Sequence, residues 1–263
     1  MNQQKNELPQ AKPFFISKIF EKLEICLAVI AITYSLIQSK FNFVEFKIDL
    51  IINSMLIFFG FIISYYREDY WGIGREQRML FFMDNSFGTI RFPSKNKTYF
   101  DNEELSPGLL KAFANVHENT FFTSKISEKM LLIPIGIMLF SAYIFIISLM
   151  IGGLNSGNAA LLNLFLSGNI ATKIINIYKL KKGTEELFQS GNIICSRYQE
   201  CNNNISVLEY DMILFINNYE NLLIDTKVTL SERVFSRMND SLTNDWNEHK
   251  KHYQIYSDNS DVK

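Results

Sequence analysis

Residues 131–151 read LLIPIGIMLFSAYIFIISLMI, and this stretch decides the fold. None of its side chains is charged. A bilayer hydrocarbon core is about 30 Å thick and takes roughly 20 helical residues. A surface helix of a soluble protein keeps a polar face, and here there is almost none. The stretch predicts a transmembrane helix.

Three further apolar blocks lie around it. Ile48–Tyr66 (IDLIINSMLIFFGFIISYY) is also long enough to cross. Leu23–Ile37 (LEICLAVIAITYSLI) is short unless Phe20–Leu23 extends it. Its flank lacks a small-residue cleavage site, so it predicts an uncleaved anchor. Ala159–Tyr178 (AALLNLFLSGNIATKIINIY) is long enough but polar for a span. Four blocks in 263 residues predict an all-α membrane protein with four transmembrane helices in two hairpins.

Charge orients these spans, because Lys and Arg collect on the cytoplasmic side. Residues 1–22 carry four lysines, 67–130 carry nine basic residues and the tail from Lys179 carries ten. The connection at 152–158 (GGLNSGN) carries none, and that at 39–49 only Lys40 and Lys47. Both termini and the long insert are therefore expected in the cytoplasm. The expected parts are a cytosolic segment 1–22, a hairpin 23–66, a cytosolic insert 67–130, a hairpin 131–178, a cytosolic helical region 179–250 and a disordered tail 251–263. Cys26, Cys195 and Cys201 lack the spacing of a zinc site and read as reduced thiols.

Within the insert, Tyr66–Trp71 (YREDYW) reads as an interfacial anchor. Residues 75–83 continue a helix, and Asp84–Gly88 (DNSFG) stops it with turn-forming residues. A segment with Pro93 is extended or irregular. Pro107 suits a helix start, followed by helices over Leu109–Phe122 and Ser124–Met130. In the tail, Lys179, Lys181 and Lys182 suit anionic headgroups. Ile205, Leu208, Met212, Phe215, Tyr219 and Leu222 form a heptad-like seam, broadened by Ile213, Leu214 and Ile216. That width favours a bundle core over a two-stranded coil. Leu230, Val234, Met238 and Leu242 start another helix.

No phosphate-binding loop, dinucleotide fingerprint, zinc-protease or serine-hydrolase motif occurs. His117 reads as a core or capping histidine, and HKKH (249–252) as a solvated face. With no convergent catalytic set, an enzyme is not expected, nor any cofactor. The insert balances nine basic against nine acidic residues, and the tail ten against thirteen, so nucleic acid is not an expected partner. A small anion needs only a few donors, and Arg75, Arg78 and Arg91 are the candidates beside Asp84 and Gly88.

The fourth block holds Asn163, Asn169, Lys173 and Asn176. The last three fall within about a 60° arc at 100° per residue. Ala159, Asn163, Ser167 and Ala171 make a second row of small or polar residues. Such residues either glue helices together or line a water-filled path between subunits.

The two hairpins, with the insert segments MDNSFGT (83–89), YFDNEELSPG (99–108) and NVHENTFF (115–122), resemble four-transmembrane pore-forming effectors of bacterial anti-phage nucleotide-signalling systems. The resemblance is architectural and carries no residue role with it. It implies an inner-membrane homo-oligomer among membrane lipids, silent until a nucleotide second messenger or a partner protein triggers it. MDNSFGTIRF (83–92) would then be the elbow between span two and the sensor. The alternative is a non-conducting scaffold that holds a cytosolic partner through its C-terminal helices.

Overall fold

A computed structural model describes residues 8, 10–41, 44–91, 102, 104–152 and 169–256. All regular structure among them is helical: α1 (Ala11–Phe41), α2 (Phe46–Phe87), α3 (Leu109–Met130), α4 (Leu132–Gly152), α5 (Asn169–Glu200), α6 (Ile205–Thr226), α7 (Glu232–Lys250) and a closing 3-10 turn, Gln254–Tyr256. Two runs are long and apolar enough to cross a membrane, α2 and Leu109–Ile147, whose apolar part is α4. This supports membrane association.

Local chemistry sets the helix ends. Pro134 has no N–H to give the carbonyl of Met130, and α3 ends there. Asn202 and Asn203 adopt positive φ between α5 and α6, a conformation Asn tolerates. The Asn204 side chain then accepts the Ser206 N–H and caps α6. Ser231 caps α7 by accepting from Val234. Helix α3 is continuous where two helices were expected. The Oγ atoms of Thr120 and Ser124 bond back to the carbonyls of His117 and Phe121. These residues thus satisfy their hydroxyls without leaving the helix.

The chain divides into two units. One contains the described residues up to Ala11, Arg75–Leu131 and those from Asn176 onward; the other is Lys12–Gly74 with Leu132–Ile175. In the first, the insert and the tail share one core. Ala112 through His117 are all buried, so this part of α3 is enclosed on every side. Leu208, Met212, Phe215 and Tyr219 of α6 pack on it, as do Leu242 and Trp246 of α7. Trp246 extends the four-residue spacing begun at Leu230. Ile216 packs on this core. Ile213 and Leu214 do not broaden it: they are exposed on the far side of α6. Disorder was expected from residue 251, yet Ile255 and Tyr256 are buried, because the chain turns back after α7.

In the second unit, apolar side chains point outward. Ile57 is 69% and Phe61 71% exposed. Between Asp49 and Arg67 of α2 no residue is charged. Those eighteen steps rise about 27 Å, close to one hydrocarbon thickness. On α1, Glu24 and Lys40 likewise bracket an uncharged stretch.

Candidate functional site

The stretch around Asp84 forms a polar elbow. Helix α2 stops at Phe87, and Gly88 follows at φ +68, a left-handed turn that favours glycine. The Asp84 carboxylate accepts from Thr89 Oγ1 at 2.6 Å and from the Arg91 N–H at 2.9 Å. The Gly108 N–H donates to the Ser86 carbonyl at 2.8 Å. Asn115 of α3 donates to Asn85 Oδ1 at 3.0 Å and to Ser86 Oγ at 3.2 Å. Asn102 donates to Asn115 Oδ1 at 3.0 Å and to Glu118 at 2.9 Å. Ser86, Asn102 and Asn115 are fully buried. Such a network fixes the exit of α2 against the start of α3 by hydrogen bonds that water cannot replace.

The three candidate arginines do not gather into one cationic pocket. Arg78 is half-buried, and its Nη2 reaches both carboxylate oxygens of Glu220 at 2.7 and 2.6 Å, tying α2 to α6. Arg91 is exposed and contributes its backbone N–H to the elbow. Arg75 is half-buried, and among the described residues its Nε has no acceptor.

A second cluster surrounds His117, which sequence reasoning placed in the core without its partners. Its Nε2 lies 3.1 Å from Asn192 Oδ1, and His249 Nε2 lies 2.8 Å from the same oxygen. A carbonyl oxygen only accepts, so both Nε2 atoms carry protons. His117 Nδ1 is then an acceptor, and the Tyr256 hydroxyl donates to it at 2.7 Å. Phe113, Phe188 and Trp246 close around the ring. Gly191 is required by this close approach: a Cβ there would stand 2.4 Å from His117 Cδ2.

Burial, aided by the neighbouring His249, lowers the His117 pKa to about 3. Burial pushes the Cys195 thiol, 3.6 Å from His117 Nδ1, up to about 12. A nucleophilic cysteine needs its thiolate, and burial disfavours that form here. HKKH is not simply a solvated face. His252 is exposed, but His249 stacks on Trp246, with ring centroids 5.6 Å apart, and bonds to Asn192. The sequence showed the basic pair between these histidines and not the partners of His249: Trp246 lies one turn earlier on α7, and Phe188 and Asn192 come from α5. Among the described residues, no group of His, Cys, Asp and Glu is arranged to hold a metal ion.

In the second unit, charges from three helices pair. Glu24 of α1 meets Arg67 of α2 at 3.0 Å, and Glu21 of α1 meets Lys173 of α5. Ser17 Oγ donates to the Arg67 carbonyl at 2.9 Å. Phe20 stacks on Tyr66 and Tyr70 beside these pairs. Toward the opposite ends of α1 and α2, Tyr34 and Asn53 donate to Asp49. Lys173 thus has a partner where sequence alone suggested snorkelling. Asn169 is the first residue of α5, half-buried Asn176 falls in the other unit, and Asn163 lies outside the described residues.

Comparison with known proteins finds no matching family model, no matching curated protein and no matching solved structure.

Proposed function

We propose that this chain is a multi-pass bacterial inner-membrane effector of abortive-infection type anti-phage defence. In this reading four spans cross the membrane, both termini are cytoplasmic and the active form is a homo-oligomer. The cytosolic bundle senses a nucleotide or a partner protein, and the membrane helices then open a leak. The observation that carries the reading is the set Glu21, Glu24, Arg67 and Lys173, which pair across three helices beside the uncharged stretches of α1 and α2. Of the four, Lys173 lies inside the apolar block 159–178, and an ionisable residue within a membrane helix is costly and commonly marks an ion pathway. The elbow at Asp84–Gly88 suits the coupling step, since it joins the end of α2 to α3 by hydrogen bonds.

The test is membrane potential in bacteria after induced expression, read with a voltage-sensitive dye. Wild type is set beside Asn169→Leu and Lys173→Leu, with abundance checked in membrane fractions. Depolarisation by wild type, lost in the variants at equal abundance, is expected. No depolarisation under any trigger, with a stable cytosolic partner in pull-downs, points instead to the scaffold. That second reading is favoured by one observation: the four charges neutralise each other in pairs, as helix glue does.

A further inference from the structure

The helix α6 is apolar on two sides. Its inner face, Leu208, Met212, Phe215 and Tyr219, is buried in the bundle. Its outer face exposes Val207, Tyr210, Ile213, Leu214 and Ile224, with Tyr210 75% exposed. The positions between them, Ser206, Asn217 and Asn221, are uncharged. The solvent face of a soluble helix is ordinarily charged, and a helix apolar all round is a covered one. Val207, Tyr210, Ile213 and Leu214 are neighbours on this face, with Ile224 beyond Asn217 and Asn221, and an exposed apolar patch of this kind marks an interaction surface.

Charge then selects the occupant. Helix α6 contains no Lys or Arg. At 100° per residue, Glu209 edges the apolar face on one side and Asp211 and Asp225 edge it on the other. Asp211 is occupied by Arg197. Glu209 and Asp225 are exposed, one on each edge. Arg197 is spent on Asp211, so pairing this face with itself in a second copy would set the remaining carboxylates, Glu209 and Asp225, against each other with no cation on α6 to offset them. An anionic leaflet would repel the same carboxylates. A helix with an apolar stripe flanked by Lys or Arg fits both the stripe and its edges.

We infer that the outer face of α6 docks an amphipathic helix that carries basic residues beside its apolar stripe. This holds whether or not the membrane helices conduct, so it stands apart from the leak reading.

The test uses the full chain in nanodiscs of zwitterionic phosphatidylcholine, with empty nanodiscs subtracted. Two fluorescent helical peptides of one Leu stripe are compared at low salt, one flanked by Lys and one by Glu. The Lys peptide is expected to bind about tenfold tighter, the scale of two rim ion pairs set against two like-charge contacts. Tyr210→Ser with Ile213→Ser is expected to weaken it at least tenfold. Glu209→Lys with Asp225→Lys is expected to reverse the preference, a gain that misfolding cannot imitate. Equal binding of both peptides overturns the inference, as does Lys-peptide binding untouched by the variants. Crosslinking of Ile213→Cys to its counterpart in a second copy, above the wild-type background, overturns it by naming a different occupant.

Discussion

Replacing Gly191 by Ala tests the packing of the His117 cluster by its sign. In the middle of a helix, Ala is better than Gly by about 0.5–1 kcal/mol, because Gly gives up more backbone freedom on folding. With room for the methyl group, Gly191→Ala would therefore stabilise the bundle. The structure leaves no room. The new Cβ stands 2.4 Å from His117 Cδ2, and the ring cannot swing away while Asn192 holds one nitrogen and Tyr256 the other. Overpacking of a fixed group costs about 1–3 kcal/mol. With the ring pinned at two points the upper part of that range applies, so the net expectation is a loss of about 2 kcal/mol. The assay is hydrogen exchange of the α5 amides in purified, membrane-embedded protein, which reads the free energy of local opening. His117→Ala removes the obstacle, so Gly191→Ala in that background should be neutral or stabilising. Stabilisation by Gly191→Ala in the wild-type background would refute the close approach of α5 to α3.

Other perturbations have signs of their own. His117 is held near pKa 3 against an ordinary value of 6.5, so between those two values the unfolded chain binds the extra proton. Stability should be unaffected by this group above pH 6.5 and fall as pH drops below it, by about 2 kcal/mol at pH 5. Melting across that range should be flatter in His117→Gln at equal helix content. Glu220→Ala leaves Arg78 half-buried beside the core and should cost about 3 kcal/mol, read as exposure of α6 in hydrogen exchange. Asp84→Ala removes the acceptor of Thr89 and Arg91. It should raise exchange at residues 89–91, leave membrane insertion intact and, in the effector reading, uncouple trigger from leak.

The helical class was legible because an apolar helix has one periodicity and one length rule, as residues 131–151 illustrate. The α6 seam was legible for the same reason, and Leu208, Met212, Phe215 and Tyr219 do face the core. Ile213 and Leu214 were misassigned because periodicity cannot tell an apolar residue facing a core from one facing outward. The helix stop at Asp84–Gly88 could be read from turn chemistry, whereas the Asn85–Asn115 and Asn102–Asn115 bonds could not. They join residues 13 to 30 positions apart whose side chains carry no periodic signal. The His117 ring cage has the same character, drawing Asn192 and Tyr256 from 75 and 139 residues away. Trp246 was reachable, since it continues the spacing Leu230, Val234, Met238, Leu242.

Lys173 separates the two functional readings most directly, because pairing and pore lining answer a charge exchange differently. Its partner is Glu21, and both side chains are about one-third exposed or less. Glu21→Lys alone sets two like charges together, and Lys173→Glu alone does the same with the opposite sign. Each single variant should lower the amount of folded protein in membranes. The double exchange restores opposite charges at the same place and should recover abundance, whichever function is correct. Conductance then decides. A lysine that only glues α5 to α1 leaves the dye response of the exchanged protein like that of wild type, or absent in both. A lysine that also faces an ion path takes its positive charge to the other helix in the exchange. The leak should then persist with a changed preference between anions and cations, measurable as a shifted reversal potential in a planar bilayer. Failure of the double exchange to recover abundance would remove the pair itself, and with it the place of Lys173 in both functional readings.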